Sequence, residues 1–155
     1  MTIRSVAFNN RRKAFRVLTG SAEFWFPYAK LQARPGPRDR VVRVRVDREL
    51  AREGFTYVLA SGREGTVHVE QVLEYNQHPG YLRDLVLYRL TLQAQRRVAR
   101  SPLSRREIIR RLGTSAAQFY RLLDQTNYRK SVDQLLSLLN VLECDVVIRV
   151  RAKSA

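Results

Sequence analysis

Acid–base, nucleophilic and metal chemistry need histidines, cysteines or carboxylates at convergent spacing. This 155-residue chain offers two histidines, one cysteine and 14 Asp and Glu residues. His68 and His78 lie near neither Cys144 nor an acidic cluster in the sequence. Glu70 and Glu74 sit one helical turn apart, which a charged solvent face explains as well as a catalytic pair does. His68, within "TVHVE", reads as a residue on a strand face. A metal site needs three or four converging ligands, and no such spacing is visible. Gly62 and Gly65 are too close to form a phosphate-cradling loop and read as a turn. Cys144, alone in an apolar stretch, reads as a small buried hydrophobe with no internal disulfide partner. The chain is therefore expected to carry no catalytic residue, no metal and no cofactor.

The chemistry that is abundant is cationic. The formal net charge is +15, and of 29 basic residues 25 are Arg and 4 are Lys. Residues 1–79 carry +6 and residues 80–155 carry +9. Clustered Arg binds phosphates by displacing condensed counterions, although a GC-rich coding sequence also enriches Arg. Clustering is the sharper signal: "RRVARSPLSRREIIRR" (96–111) holds seven Arg and one Glu. Trp25, between Phe24 and Phe26, reads as core and edge packing. An RNA surface built on Arg43, Arg45, Trp25 and Tyr57 has no recognisable signature behind it.

The first half has strand periodicity. "TIRSVAF" (2–8) and "KAFRVLT" (13–19) flank the turn-like "NNRR", and "AEFWFPY" (22–28) follows a Thr-Gly-Ser turn. A Pro/Gly loop, "ARPGPRDR" (33–40), leads to "VVRVRV" (41–46), whose alternation marks a strand with one solvent face. "FTYVLAS" (55–61) and "TVHVE" (66–70) form another hairpin, and "EQVLEYN" (70–76) suits a short helix ended by "HPG".

The period then becomes helical. Residues 81–98 suit a long helix whose first part is apolar nearly all round, and such a helix is expected to be buried on several sides. Three Ser-x-x-Glu/Gln boxes, at Ser104–Glu107, Ser115–Gln118 and Ser131–Gln134, mark helix starts. They predict helices over 105–112, 116–124 and 132–142, with Gly113 as the left-handed residue ending the first. "CDVVIRV" (144–150) reads as a strand before a polar tail.

"LSRREIIRRLGTSAAQFYRLL" (103–123), a helix, a Gly turn and a second helix, resembles the helix-turn-helix of lambda-repressor-like (Xre/Cro-type) regulators. The departure is Ile109, where the family usually has Ala for close helix approach. In that family the second helix lies in a major groove with its N-terminal residues at base edges. The resemblance implies that Phe119, Leu122 and Leu123 face the core while Ala116, Ala117, Tyr120 and Arg121 face outward. Arg105 falls where a phosphate-touching Gln is common. The DNA-binding set is then Arg105, Ser115, Ala116, Ala117, Tyr120 and Arg121, with Asn127, Arg129 and Lys130 as a backbone clamp. Gln118 can pair with adenine, but its capping-box position favours a structural role, and Asp124 would repel phosphate.

"SVAFNNRRKAFRVLTGSAEFWFPYAKL" resembles a bacterial family of small domains of unknown function, often fused to Xre-type segments and met near toxin–antitoxin-like genes. That resemblance covers residues 2–78 and implies an α+β domain that mediates oligomerisation or binds a partner. The expectation is an α+β chain. A small, mainly β N-terminal domain (1–79) precedes an all-α helix-turn-helix bundle with a short C-terminal strand (80–155). The expected function is a homodimeric regulator, repressor or antitoxin-like, that binds double-stranded DNA. The alternative is an interaction module whose apolar helix 81–92 binds a protein partner such as a toxin. With no eighteen-residue apolar run and no signal core, the expected location is the cytoplasm, without membrane contact.

Overall fold

The period-2 segments of the first half fold into two antiparallel sheets of three strands each. The computed structural model describes residues 1–152. In the first sheet β1 (Ile3–Asn9), β2 (Ala14–Thr19) and β3 (Glu23–Pro27) lie in that order, and in the second β4 (Val41–Val46), β5 (Gly54–Leu59) and β6 (Glu64–His68) do the same. Phe15, Val17 and Thr19 of β2 are buried while Arg16 is exposed, as alternation requires. In β4 a register irregularity between Val41 and Arg43 resets the alternation and leaves Val42 exposed. Every residue of β5, the central strand, is buried.

Phe15 connects the two sheets. Its ring centroid lies 4.9 Å from Phe55 and 5.5 Å from Tyr57 of β5, and 5.0 Å from Tyr28, all in tilted geometry. Such pairs contribute beyond the area they bury. Helix α1 (Val69–Tyr75) adds Val69, Val72 and Leu73 to this core. The chain divides by its contacts into Met1–Leu82 and Arg83–Ala155, a boundary inside α2 (Pro79–Arg100).

The second unit is organised around one stripe of α2. Leu87, Thr91, Ala94 and Val98 are buried at i, i+4, i+7 and i+11. They join Ile108 of α3 (Arg105–Leu112), Phe119 and Leu122 of α4 (Ala116–Leu122), and Leu135, Leu138 and Leu139 of α5 (Val132–Val141). The helix is not buried on several sides as its composition suggested, for Val86 and Tyr88 are exposed.

The expected fold needs correcting. Among the described residues the chain is α+β with two three-stranded antiparallel sheets and five α-helices, and an all-α helix-turn-helix bundle closed by a strand is not a clean match. Residues 144–150 form no strand. Their β-branched side chains suit extended backbone, but a strand also needs a partner edge, and none of the described residues supplies one. Helix α4 ends at Leu122, two residues short of expectation. The last three residues of the expected polar tail lie outside the described residues. Gly65 belongs to β6 rather than to the turn, and His68, the last residue of β6 as expected, also serves as the N-cap of α1.

Gly65 lies directly opposite Tyr57, whose hydroxyl donates to the Ala33 carbonyl at 3.0 Å and accepts from its amide at 3.2 Å. A Cβ on Gly65 would come within 2.6 Å of Tyr57 Cζ. Gly65→Ala is expected to displace that ring and destabilise the fold by about 1–3 kcal/mol, measured as a lower urea midpoint with unchanged slope.

Candidate nucleic-acid interface

The α3–α4 segment is set at its turn by backbone conformation. Ser104 Oγ accepts from the Glu107 amide at 3.1 Å and starts α3. Gly113, at φ 70° and ψ 34°, ends it in the left-handed region that glycine tolerates. Ser115 Oγ then accepts from the Gln118 amide at 3.2 Å and starts α4. Phe119 and Leu122 anchor α4 in the core, so Ala116, Ala117, Gln118, Tyr120 and Arg121 are left exposed.

The outward face gathers some of the expected residues. Tyr120 is 50% exposed, and the Arg105 guanidinium sits 5.9 Å above its ring centre, within reach of a cation–π contact. Phe119 meets the Tyr120 ring edge-on at 5.3 Å, which limits the ring's freedom. Arg105, Arg106, Arg121 and Arg129 are exposed, and none of them is ion-paired with a described residue. A guanidinium over a tyrosine ring beside an exposed Arg offers phosphate and stacking contacts together.

Other residues have different roles. Ser115 caps the helix. Asn127 Nδ2 donates to the Arg121 carbonyl at 3.3 Å, and its Oδ1 accepts from the Arg129 amide at 3.0 Å, which shapes the turn. Lys130 is not a surface clamp. It is 5% exposed, and its ammonium donates to the carbonyls of Leu122 at 2.9 Å and Asp124 at 2.7 Å. Burial pushes its pKa down from the usual value, while nearby Asp124 pulls it up. Of the expected clamp, only Arg129 extends an exposed, unpaired side chain, as judged among the described residues.

Gln118 changes role in the opposite direction. The reciprocal capping box closes at Ser131 and Gln134, where Gln134 Oε1 accepts from the Ser131 amide at 3.0 Å. At Ser115 only the first half forms, so the Gln118 side chain stays on the exposed face. At Ser104 the box fails because Glu107 bonds elsewhere. Its carboxylate accepts from Arg110 at 2.9 and 2.5 Å and from Arg111 at 3.0 Å. Those bonds, Arg110 first, hold its pKa down to about 2. Asp124 accepts from the Thr126 hydroxyl at 2.7 Å and amide at 2.9 Å, which keeps it charged beside the end of α4.

Neither histidine is placed for chemistry. His68 Nδ1 accepts from the Glu70 amide at 3.4 Å, and His78 Nδ1 accepts from the Tyr81 amide at 3.3 Å. Among the described residues no group of three or more His, Cys, Asp or Glu could hold a metal, and no helix is long and apolar enough to cross a membrane. Of the aromatic residues weighed for RNA, Tyr57 is buried and Trp25 is covered by Arg12 at 3.7 Å.

Lys130→Met removes the donor shared by two carbonyls and is expected to destabilise the fold by about 1–3 kcal/mol in urea titration, where a surface clamp would leave stability unchanged. The unfolded chain holds the Lys130 proton more tightly than the folded one. Stability from this residue therefore rises with pH between the lowered folded pKa and the usual 10.5, and alkaline solution weakens nothing here. No protein-family model, curated protein or solved structure matches the chain.

Proposed function

We propose that the Arg83–Ala155 unit binds double-stranded DNA and that the protein is a homodimeric transcriptional regulator, repressor or antitoxin-like, acting by occupancy. One observation supports this most directly: the exposed face of α4 carries Arg121 and Tyr120, the latter under Arg105, and Arg105, Arg106, Arg121 and Arg129 have no carboxylate partner among the described residues. The reading rests on these side chains and on the local resemblance of residues 103–123, not on a bundle fold. Arg121 reaches a guanine or a phosphate, and Gln118 reaches an adenine. Ala116 and Ala117 offer methyl contact to thymine. Arg105, Arg106 and Arg129 hold phosphates, and two α4 helices enter major grooves about 34 Å apart.

Exposed Val86 and Tyr88 on α2 favour a second reading, in which a protein partner such as a toxin covers the apolar stretch 81–92. Titration of random duplex and promoter duplex over roughly 50 to 300 mM salt separates the two. With about four phosphates engaged per subunit, the slope of log affinity against log salt is expected near −7. Tyr120→Ala/Arg121→Ala weakens promoter binding on the order of tenfold or more. Absence of binding at low salt sinks the DNA reading. Binding indifferent to both sequence and substitution reduces it to general phosphate affinity.

Glu107→Gln supplies a test of opposite sign. It frees Arg110 and Arg111 from their carboxylate, so affinity is expected to rise at low salt and the slope to steepen by up to about 2 per subunit.

A further inference from the structure

The sequence of residues 144–150, "CDVVIRV", is a chemical palindrome. Read from both ends toward Val147, it pairs Cys144 with Val150, Asp145 with Arg149, and Val146 with Ile148. The segment leaves α5 through Glu143, at φ 59°, and runs without secondary structure. Val147 is 90%, Ile148 81% and Val150 90% exposed. From Asp145 to Val150 no backbone group is hydrogen-bonded to a described residue. The Cys144 amide still donates to the Leu139 carbonyl at 2.9 Å, but from Asp145 onward a β-branched, largely apolar stretch with unpaired backbone groups is a template for another chain.

We infer that residues 144–150 of two copies pair antiparallel about Val147, making this segment the homodimer contact. The inference rests on the homodimer part of the proposed function and supplies its surface. Charge selects the occupant and the direction. In the antiparallel arrangement each Asp145 faces the other copy's Arg149, twice per dimer, and every apolar residue faces an apolar one. A parallel pair would set Asp145 against Asp145 and Arg149 against Arg149, and like charges directly opposite are destabilising. Moving the centre to Ile148 would set Val147 against Arg149. Antiparallel pairing about Val147 also gathers Cys144, Val146, Ile148 and Val150 of both copies on one face of the ribbon, since alternate residues share a face. A bare two-stranded ribbon is marginal in water, so the dimer dissociates on dilution instead of being obligate.

The test is sedimentation equilibrium of the full chain over a concentration series, without DNA, on charge-swap variants. Asp145 and Arg149 are exposed and make no hydrogen bond or ion pair with a described residue, so their substitution leaves the fold intact. Asp145→Arg alone, or Arg149→Asp alone, is expected to raise the dimer dissociation constant on the order of tenfold. The double variant should return it to near the starting value. Register is read by oxidation in a Cys144→Ser background. Val147→Cys places two thiols opposite each other, about 4.5–5.5 Å apart at Cα and within disulfide reach, and is expected to give a covalent dimer. Val150→Cys places them six residues apart, about 20 Å, and should give none. A dimer indifferent to the single swaps, or equal cross-linking at both positions, overturns the inference while leaving a homodimer through another surface. A strict monomer at every concentration overturns both the inference and the homodimer, but not the affinity of one subunit for duplex DNA, which the salt titration reads separately.

Discussion

The position of the α4 face depends on a buried ammonium. Lys130 reaches under the end of α4 and binds the carbonyls of Leu122 and Asp124, at the point where a seven-residue helix runs out of partners. A helix leaves its last carbonyls without intrahelical donors, and one this short has little cooperative stability of its own. Ser115 at the start, Phe119 and Leu122 beneath and Lys130 at the end therefore fix it from three directions. A lysine that holds α4 from below cannot also hold a phosphate outside. Lys130's positive charge is thereby removed from the surface, and Asp124 remains beside the end of the helix as an exposed carboxylate.

This redistributes the cationic surface of the second unit. Arg110 and Arg111 share the single carboxylate of Glu107, which offsets one of their two charges, whereas Arg105 and Arg106 at the start of α3 have no carboxylate partner among the described residues. The uncompensated charge thus gathers where α3 begins and where α4 exposes Tyr120 and Arg121, and the Arg105–Tyr120 contact ties the two helices together at that point. Raw charge counts alone do not reveal such a gradient. The seven arginines of residues 96–111 look uniform in the sequence, yet Glu107 binds Arg110 and Arg111 while Arg105 lies over Tyr120.

Much of the element pattern was legible from local chemistry. The span of β4, the span of α3, the left-handed Gly113 and the three serine caps all follow from interactions within a few residues of each other. What escaped depended on longer reach. Lys130 and Asn127 read as surface polar residues because their partners belong to the end of α4. Gln118 read as a cap because the same pattern does close at Gln134, and nothing local distinguishes the two sites. Arg105 against Tyr120 spans two helices and has no linear signature. The seven residues after Glu143 have the β-branched composition of a strand but form none, because no edge among the described residues pairs with them. Strand propensity records what a segment tolerates, and pairing decides what it becomes.

A reading helix with alanines at its first two positions gains little discrimination from one subunit, since methyl contact separates bases weakly compared with a bidentate pair. Affinity from arginines on phosphates is large but indifferent to sequence. In the proposed reading, selectivity therefore has to come from requiring two half-sites at a fixed spacing. A dimer that forms weakly in solution makes that requirement conditional on concentration. The second subunit binds a site already beside the first at high effective concentration, so protein–protein and protein–DNA contacts each strengthen the other's occupancy. Under those conditions a strong dimer contact would be a disadvantage, because a preformed dimer with so many arginines would occupy arbitrary duplex tightly. A short, charge-matched contact keeps single subunits exchangeable on non-specific DNA and retains pairs where both half-sites fit.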